Sequence, residues 1–361
     1  MAYINFQPSD YFATKLYTGN GSTNAITGVG FQPDFTWIKK RDGVEGHKLF
    51  DSARGATKLV ESSSANAEQT NATSLTAFGA DGFTLGSAGI TNNNTNLFAS
   101  WNWRMGTTSV PSGGSITPSA VSINTTSKQG IYKYTGNGTL GQTIAHGLGQ
   151  APKFIMIKNA GGSYDWACYH ANIDNDLTQA GDWFIRLNTS AARSDNSGYF
   201  NDTVTTDTLI TLGSDNPVNH SGNEMIMYAF CDVKGFSKFG VYTGNGNADG
   251  TFVYTGFEPE LIIAKNRDSG GVAAYGWTMI SNTFGMGGAT SANPAFNELT
   301  QNLFADQTVA VATGNAVDFL SNGFKWRSTG TGGNQSTAPF IYMAFAKQPI
   351  VSSNSKAGTA R

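Results

Sequence analysis

The sequence predicts an all-β chain of three tandem β-sandwich repeats with few short helices, on three observations. A pentapeptide recurs three times, the same succession of short apolar runs follows each copy, and the punctuation between runs is Gly, Asn and Ser. Tyr-Thr-Gly-Asn-Gly stands at Tyr17 to Gly21, Tyr134 to Gly138 and Tyr242 to Gly246, roughly 110 residues apart. Each copy reads as the end of a strand running into a tight turn. Asn-Gly supplies the positive φ such turns need, so Tyr17, Gly19, Gly21, Tyr134, Gly136, Gly138, Tyr242, Gly244 and Gly246 are read as structural landmarks.

The next element is a strand entered through proline and closed by lysine. Pro33 with Lys39, Pro152 with Lys158 and Pro259 with Lys265 each bracket five mostly apolar residues. Later in each unit come Phe83 to Ser87, Ile210 to Ser214 and Phe324 to Ser328, where alternation with period two argues for a half-buried strand. An Asn-rich or Gly-rich turn follows at Asn92 to Asn96, Asn216 to Asn223 and Gly330 to Gln335. Each unit closes on an apolar run, Leu97 to Trp103, Glu224 to Cys231 and Pro339 to Ala346, of the kind that forms strands covered on both faces. One helix is expected, started by Asn293-Pro294 and carrying Phe296, Leu299 and Leu303 on one face.

These elements divide the chain into an N-terminal arm (1–14), repeat 1 (15–105), a Ser/Thr/Gly linker (106–130), repeat 2 (131–234), repeat 3 (235–347) and a C-terminal arm (348–361). Repeats 2 and 3 join without a polar break through Cys231 to Tyr242, which predicts a stiff pair.

Composition excludes several classes. Only 13% of the 361 residues are charged, the net charge is -2, and 39% are hydrophobic. No basic footprint for nucleic acid is present, and disorder does not suit a chain this rich in apolar and aromatic residues. No apolar run suits membrane insertion and the start lacks a signal peptide's pattern, so a soluble protein made in a cytoplasm is expected. Cys168 and Cys231 are too few for a disulfide scaffold and sit in apolar runs, as buried small hydrophobes do.

The search for chemistry finds little. There is no Gly-x-Ser-x-Gly elbow, no phosphate-binding loop, and no histidine pair among His47, His146, His170 and His220 at metal-ligand spacing. Asp165, Asp174, Asp176 and Asp182 cluster in repeat 2 but lack the spacing of a glycosidase pair or a calcium loop, and a solvated loop explains them. No enzyme, metal or cofactor is expected. Trp166 and Trp277 follow Lys158 and Lys265 at similar distances. With Asp165, Asn93 and Asn94 they are the candidate ligand residues, because ring faces stack on sugars and neutral polar groups take the hydroxyls. Strand-borne tryptophan is more often core, and that reading stays open.

Ser122 to Trp277 resembles a domain family found mainly in marine tailed bacteriophages. The likeness is carried by Tyr134 to Gly138, His146-Gly-Leu-Gly149, Pro152 to Lys158, Asp165-Trp166, Leu187-Asn188-Thr189 and Gly235 to Gly240. Ile4-Asn5-Phe6 and Ser100 to Trp103 extend it to repeat 1. The resemblance implies jelly-roll, lectin-like (concanavalin-like) sandwiches in a virion structural or tail-fibre-like protein, and carries no site residues with it. The expected role is a virion protein of tail-fibre or receptor-binding type that attaches to a host-surface glycan. The alternative is a capsid decoration or tail component that binds only other virion proteins. A homo-oligomer, for example a trimer, is expected in either case.

Overall fold

The computed structural model describes residues 4–106, 108–271, 276–284 and 298–350. It is all-β with a few single-turn helices. Unit 1 contains β1 (Phe12–Thr18), β2 (Asn24–Ile26), β3 (Phe35–Lys40), β4 (Lys48–Asp51), β5 (Lys58–Glu61), β6 (Gln69–Thr70), β7 (Leu75–Gly79), β8 (Gly82–Leu85) and β9 (Leu97–Trp103). Unit 2 contains β10 (Ala120–Asn124), β11 (Gln129–Thr135), β12 (Gln142–Ala145), β13 (Phe154–Asn159), β14 (Ala167–His170), β15 (Trp183–Phe184), β16 (Ser194–Asp195), β17 (Leu209–Leu212) and β18 (Glu224–Phe230). Unit 3 contains β19 (Ser237–Thr243), β20 (Phe252–Tyr254), β21 (Phe257–Asn266), β22 (Thr278–Ser281), β23 (Glu298–Phe304), β24 (Ala312–Leu320), β25 (Gly323–Trp326) and β26 (Pro339–Pro349).

One strand order recurs. The Tyr-Thr-Gly-Asn-Gly strand pairs with the closing strand, which pairs with the Pro-to-Lys strand, which pairs with the strand after it: β1-β9-β3-β4, β11-β18-β13-β14 and β19-β26-β21-β22. All these pairs are antiparallel. A second layer forms from β2-β8-β7 in unit 1, β12-β17 in unit 2, and β23-β24-β25-β20 in unit 3, where it continues the large sheet.

Alternation assigns the faces of each large sheet. In β3 and β9, Phe35, Trp37, Trp101 and Trp103 face a central core while Ile38 and Phe98 face the second layer with Phe83 and Leu85. In unit 3, Leu261, Ile263, Met343 and Phe345 face the centre, and Ile262, Ala264, Phe340 and Ala344 face outward against Val317, Phe324 and Trp326. Both faces are therefore covered, which is why the closing strands are continuous apolar runs.

The central core belongs to all three units. Trp103, Phe230 and Phe345 occupy the same register position, opposite Phe12, Gln129 and Ser237 on the first strands. Their rings form a triangle with centroids 6.2, 5.4 and 5.7 Å apart. Phe35 of unit 1 packs on Tyr228 of unit 2 at 4.5 Å, and Phe154 of unit 2 on Phe239 of unit 3 at 6.2 Å. Three like β units thus close around a pseudo-threefold axis.

Three expectations change here. The stretch 106–130 is not a free linker: Ala120–Asn124 is an edge strand of unit 2, β11 begins at Gln129, and Ile116 N–H donates to the Thr143 carbonyl at 2.9 Å. Units 2 and 3 are not a pair apart, because unit 1 packs into the same core. Leu299 and Leu303, expected on a helix, lie buried on β23. Packing across a sheet has overridden the helical spacing, while Asn293, Pro294 and Phe296 lie outside the described residues. The N-terminal arm is docked, with Phe6 and Tyr11 edge-on to Phe236 of unit 3 at 5.6 and 6.3 Å.

Because one core serves three units, unfolding is expected as a single transition. Far-ultraviolet circular dichroism and tryptophan fluorescence should give coincident urea curves. Trp103→Ala should lower stability by about 3–5 kcal/mol and shift that one transition without splitting it. Separate transitions for the units would refute a shared core.

Candidate functional site

The repeated pentapeptide builds the same clasp three times. Tyr17, Tyr134 and Tyr242 donate their hydroxyls to the carbonyls of Thr91, Val218 and Gly333 at 2.7, 2.6 and 2.7 Å. Burial raises all three phenols above their ordinary range, so they act as neutral donors. A Cβ on Gly19, Gly136 or Gly244 would fall 2.1, 2.3 or 2.2 Å from a carbonyl of the opposing loop, which leaves room only for glycine. Gly21, Gly138 and Gly246 have φ near +68, +71 and +64°. Each donates its N–H at 2.8 Å to the carbonyl of Asn92, Asn219 or Asn334.

Those three asparagines are fully buried and bind the clasp together. Their Oδ1 atoms accept from the N–H of Asn20, Asn137 and Asn245 at 2.9, 2.9 and 3.0 Å. Each Nδ2 donates to the Oδ1 of the same residue, at 3.0, 3.3 and 3.0 Å, and to two backbone carbonyls. Asn92, Asn219 and Asn334 follow the landmark serines Ser87, Ser214 and Ser328 by five or six residues. That recurrence is the sequence signal that could have singled them out. Asn93 and Asn94 are exposed beside the first clasp, where the Asn93 Nδ2 donates to Asn96 Oδ1 at 2.6 Å.

The landmark lysines lie at the seams between units. Lys39, Lys158 and Lys265 are fully buried, and each Nζ donates to the carbonyl of the next residue at 2.8, 2.8 and 3.1 Å. Lys39 also reaches Thr308 of unit 3, and Lys265 reaches Ser190 of unit 2, at 3.2 and 3.0 Å. Burial lowers all three ammonium groups to about 8. Two residues on, the carbonyls of Arg41, Ala160 and Arg267 accept from Val311 of unit 3, Glu68 of unit 1 and Arg193 of unit 2 at 2.8, 2.9 and 2.7 Å. The seams follow one another in a closed ring.

Trp166 and Trp277 belong to this ring. Both are buried, and their Nε1–H groups donate to the carbonyls of Glu61 of unit 1 and Arg186 of unit 2, each at 2.8 Å. A buried indole offers no face to a sugar, so the stacking role expected for these two residues is replaced by a structural one. In unit 1 the same position, just before the fourth strand, is His47. Its Nδ1 accepts from Trp37 Nε1 at 2.8 Å, and the Phe304 carbonyl of unit 3 influences the ring from the neighbouring unit. Asp165 is partly exposed and held by Arg186 at 3.1 Å and Asn188 at 2.7 Å. Among the described residues no group of three or more His, Cys, Asp or Glu is placed to hold a metal, and both cysteines are buried and free.

A family model described as a domain of unknown function, DUF7483, matches residues 7–349. The chain belongs to the DUF7483 family. No curated protein matches it. The DUF7483 match begins in the N-terminal arm and runs to the end of β26, so it spans all three units and every seam of the ring.

The histidines set an acid limit to this ring. His170 accepts from Asn172 N–H on Nδ1 at 3.0 Å and faces the Tyr342 carbonyl of unit 3 with Nε2 at 3.2 Å. His146 repeats the arrangement with Leu148 N–H and the Thr206 carbonyl, both at 3.1 Å. A carbonyl only accepts, so both rings are neutral with the proton on Nε2. Burial lowers His170 to about 4, and lowers His47 and His146 below their ordinary value as well.

Acid should therefore weaken the fold. The unfolded state takes up these protons first as pH falls from 6.5, so the histidines' contribution to stability should be full above that pH and decline below it. His170 alone should cost roughly 2 kcal/mol by pH 5. Urea midpoints measured between pH 7 and 5 check this, and a flat profile would count against neutral buried imidazoles. The clasp is open to mutation: Asn219→Ala should cost about 3 kcal/mol, since it strands the Asn137 N–H and two buried carbonyls. Asn219→Asp, which keeps the acceptor and loses the donors, should rescue little of the loss in the same urea titration.

Proposed function

We propose that the chain is a bacteriophage virion protein of the tail-fibre or receptor-binding type, which presents β-sandwich units, jelly-roll or concanavalin-like in form, for attachment to host-surface glycans. The observation that supports this reading is the ring itself. In each unit the clasp lies at the end of the closing strand away from the Trp103–Phe230–Phe345 triangle, about 20 Å along the strand. One rigid chain thereby carries three like turns outward from a common axis. Three presentations on one scaffold suit weak, repeated contacts, whose avidity grows with the number of sites engaged together. A sparsely charged, hydrogen-bonding surface suits neutral glycans, and a non-catalytic role suits clasps whose polar groups are consumed in holding the fold.

The second reading, a capsid decoration or tail component that binds only other virion proteins, draws on the tryptophans. Trp37, Trp101, Trp103, Trp166, Trp277 and Trp326 are buried. Trp183 is half-buried, with the Arg193 guanidinium 4.0 Å from its ring centroid. Sugar recognition would then rest on polar turns alone.

Competition of the purified protein with phage adsorption to host cells tests the first reading. Saturable inhibition is expected, and soluble host glycan should block adsorption of the phage as well. Absence of inhibition, with labelled copies found in large numbers on the head, would leave the decoration reading in its place.

A further inference from the structure

The outer edge of the second layer differs between units. In unit 2, β12 pairs with β17 on one side and is covered on the other by the crossing segment. The N–H of Thr143 donates to Ser115 Oγ at 2.7 Å, and its carbonyl accepts from Ile116 N–H at 2.9 Å. A Cβ on Gly114 would lie 2.6 Å from Ala145 N, so this segment runs against the strand backbone itself. The chain here lays its own Gly-Ser-Ile segment along this sheet edge and occupies both outward backbone groups of Thr143.

The equivalent strand of unit 3 is β20. Phe252 pairs with Lys325 as Thr143 pairs with Thr211, one residue past the landmarks Phe324 and Ile210. Thr251 accepts from Trp326 N–H at 3.3 Å and Thr255 donates to the Asn322 carbonyl at 3.0 Å. Antiparallel ladders alternate, so Thr251, Val253 and Thr255 turn their backbone groups toward β25, and Phe252 and Tyr254 turn theirs away. The side chains of Phe252 and Tyr254 are 43% and 58% exposed, with Val253 buried between them. Units 2 and 3 join directly, so no crossing segment precedes unit 3 as Gly114–Ile116 precedes unit 2. In unit 1 the same position is Ala25, whose methyl gives an incoming strand little to grip.

We infer that the β20 edge takes an extended, uncharged segment of a neighbouring protein chain by strand addition, of the small and β-branched composition that Gly114–Ile116 supplies in unit 2. Backbone bonds to Phe252 set its register, and the two aromatic rings flank its alternate side chains. Lys325, opposite Phe252 on β25, is paired with Asp249 at 2.7 Å and offers no free charge to select an acidic partner. The inference goes beyond the glycan reading and does not depend on it.

A labelled peptide with the sequence of residues 112–118, Ser-Gly-Gly-Ser-Ile-Thr-Pro, tests it by fluorescence anisotropy on the full chain. Saturable binding below about 1 mM is expected. Phe252→Pro removes an outward N–H and keeps the Val253 pairing, so it should weaken binding at least about tenfold with the unfolding midpoint unchanged. A peptide N-methylated at the isoleucine should lose as much on the unaltered protein, which keeps the test valid if the proline variant misfolds. No saturation, or equal binding by Phe252→Pro, overturns the inference. Self-association lost in Phe252→Pro without peptide binding would assign the edge to a second copy and overturn it too. Binding that appears only after residues 351–361 are removed would assign the edge to the chain's own terminus, and a neighbouring chain would no longer be its occupant.

Discussion

The constraint on which the rest of the structure depends is that three large sheets must each bury both faces. A sheet packed only on its second layer would expose Trp101, Trp103, Tyr228, Phe230, Met343 and Phe345 to water. Burying a large aromatic or aliphatic side chain is worth roughly 1.5–3 kcal/mol, so an isolated unit would forgo much of its stabilisation. Closing the three inner faces on one another removes that exposure without a partner chain. Covalent connection also spares this ring the association entropy that a trimer of separate sandwiches would have to offset.

Closure dictates the chemistry of the seams. Polar backbone at a buried junction needs partners, and the structure supplies them by rotation: the carbonyl two residues past each landmark lysine accepts from the preceding unit around the ring. The lysines hold the neighbouring carbonyls in place with amphipathic stems that pack in the interior. Asp51 and Arg54 meet at 2.6 Å while Tyr228 of unit 2 donates to the same carboxylate at 2.7 Å. Burial alone would lower the Arg54 guanidinium, but Asp51, Tyr228 and Glu68 together outweigh it and hold the group above its ordinary range.

Much of a single unit was legible in the sequence because its signals are local. Asn-Gly demands positive φ, the Pro-to-Lys run is short and apolar, and Gly21, Gly138 and Gly246 all meet that demand. What links the units was hidden because it is relational. His47 stands eight residues after Lys39, as Trp166 does after Lys158, yet imidazole and indole share no pattern that composition would match. Leu299 and Leu303 fit a helical face by spacing alone, and only the pairing of β23 with β22 and β24 decides for a strand. β10 is a Ser-bordered run in a Ser-rich stretch, and it becomes an edge strand because β11 offers it a ladder. Trp166 and Trp277 carried a true repeat signal whose meaning changed: the indole is retained for a donor that crosses a seam.

The scarcity of charge is a consequence of this geometry. When both faces of every large sheet and three seams are buried, ionic side chains lose the sites where water would solvate them. Isolated buried charges are far more costly than hydrogen-bonded neutral groups. Asn, Ser, Thr and backbone therefore take the polar work: Thr36 and Asn102 pair at 3.1 Å inside unit 1, Ser62 donates across a seam to Ala305 at 2.6 Å, and Asn92 with its two counterparts fills each clasp. Such groups satisfy partners without a counter-ion, and their neutrality lets the same clasp be built three times without like charges converging on one axis. The outer turns inherit the same composition, so a neutral surface arises from the architecture before any ligand selects it.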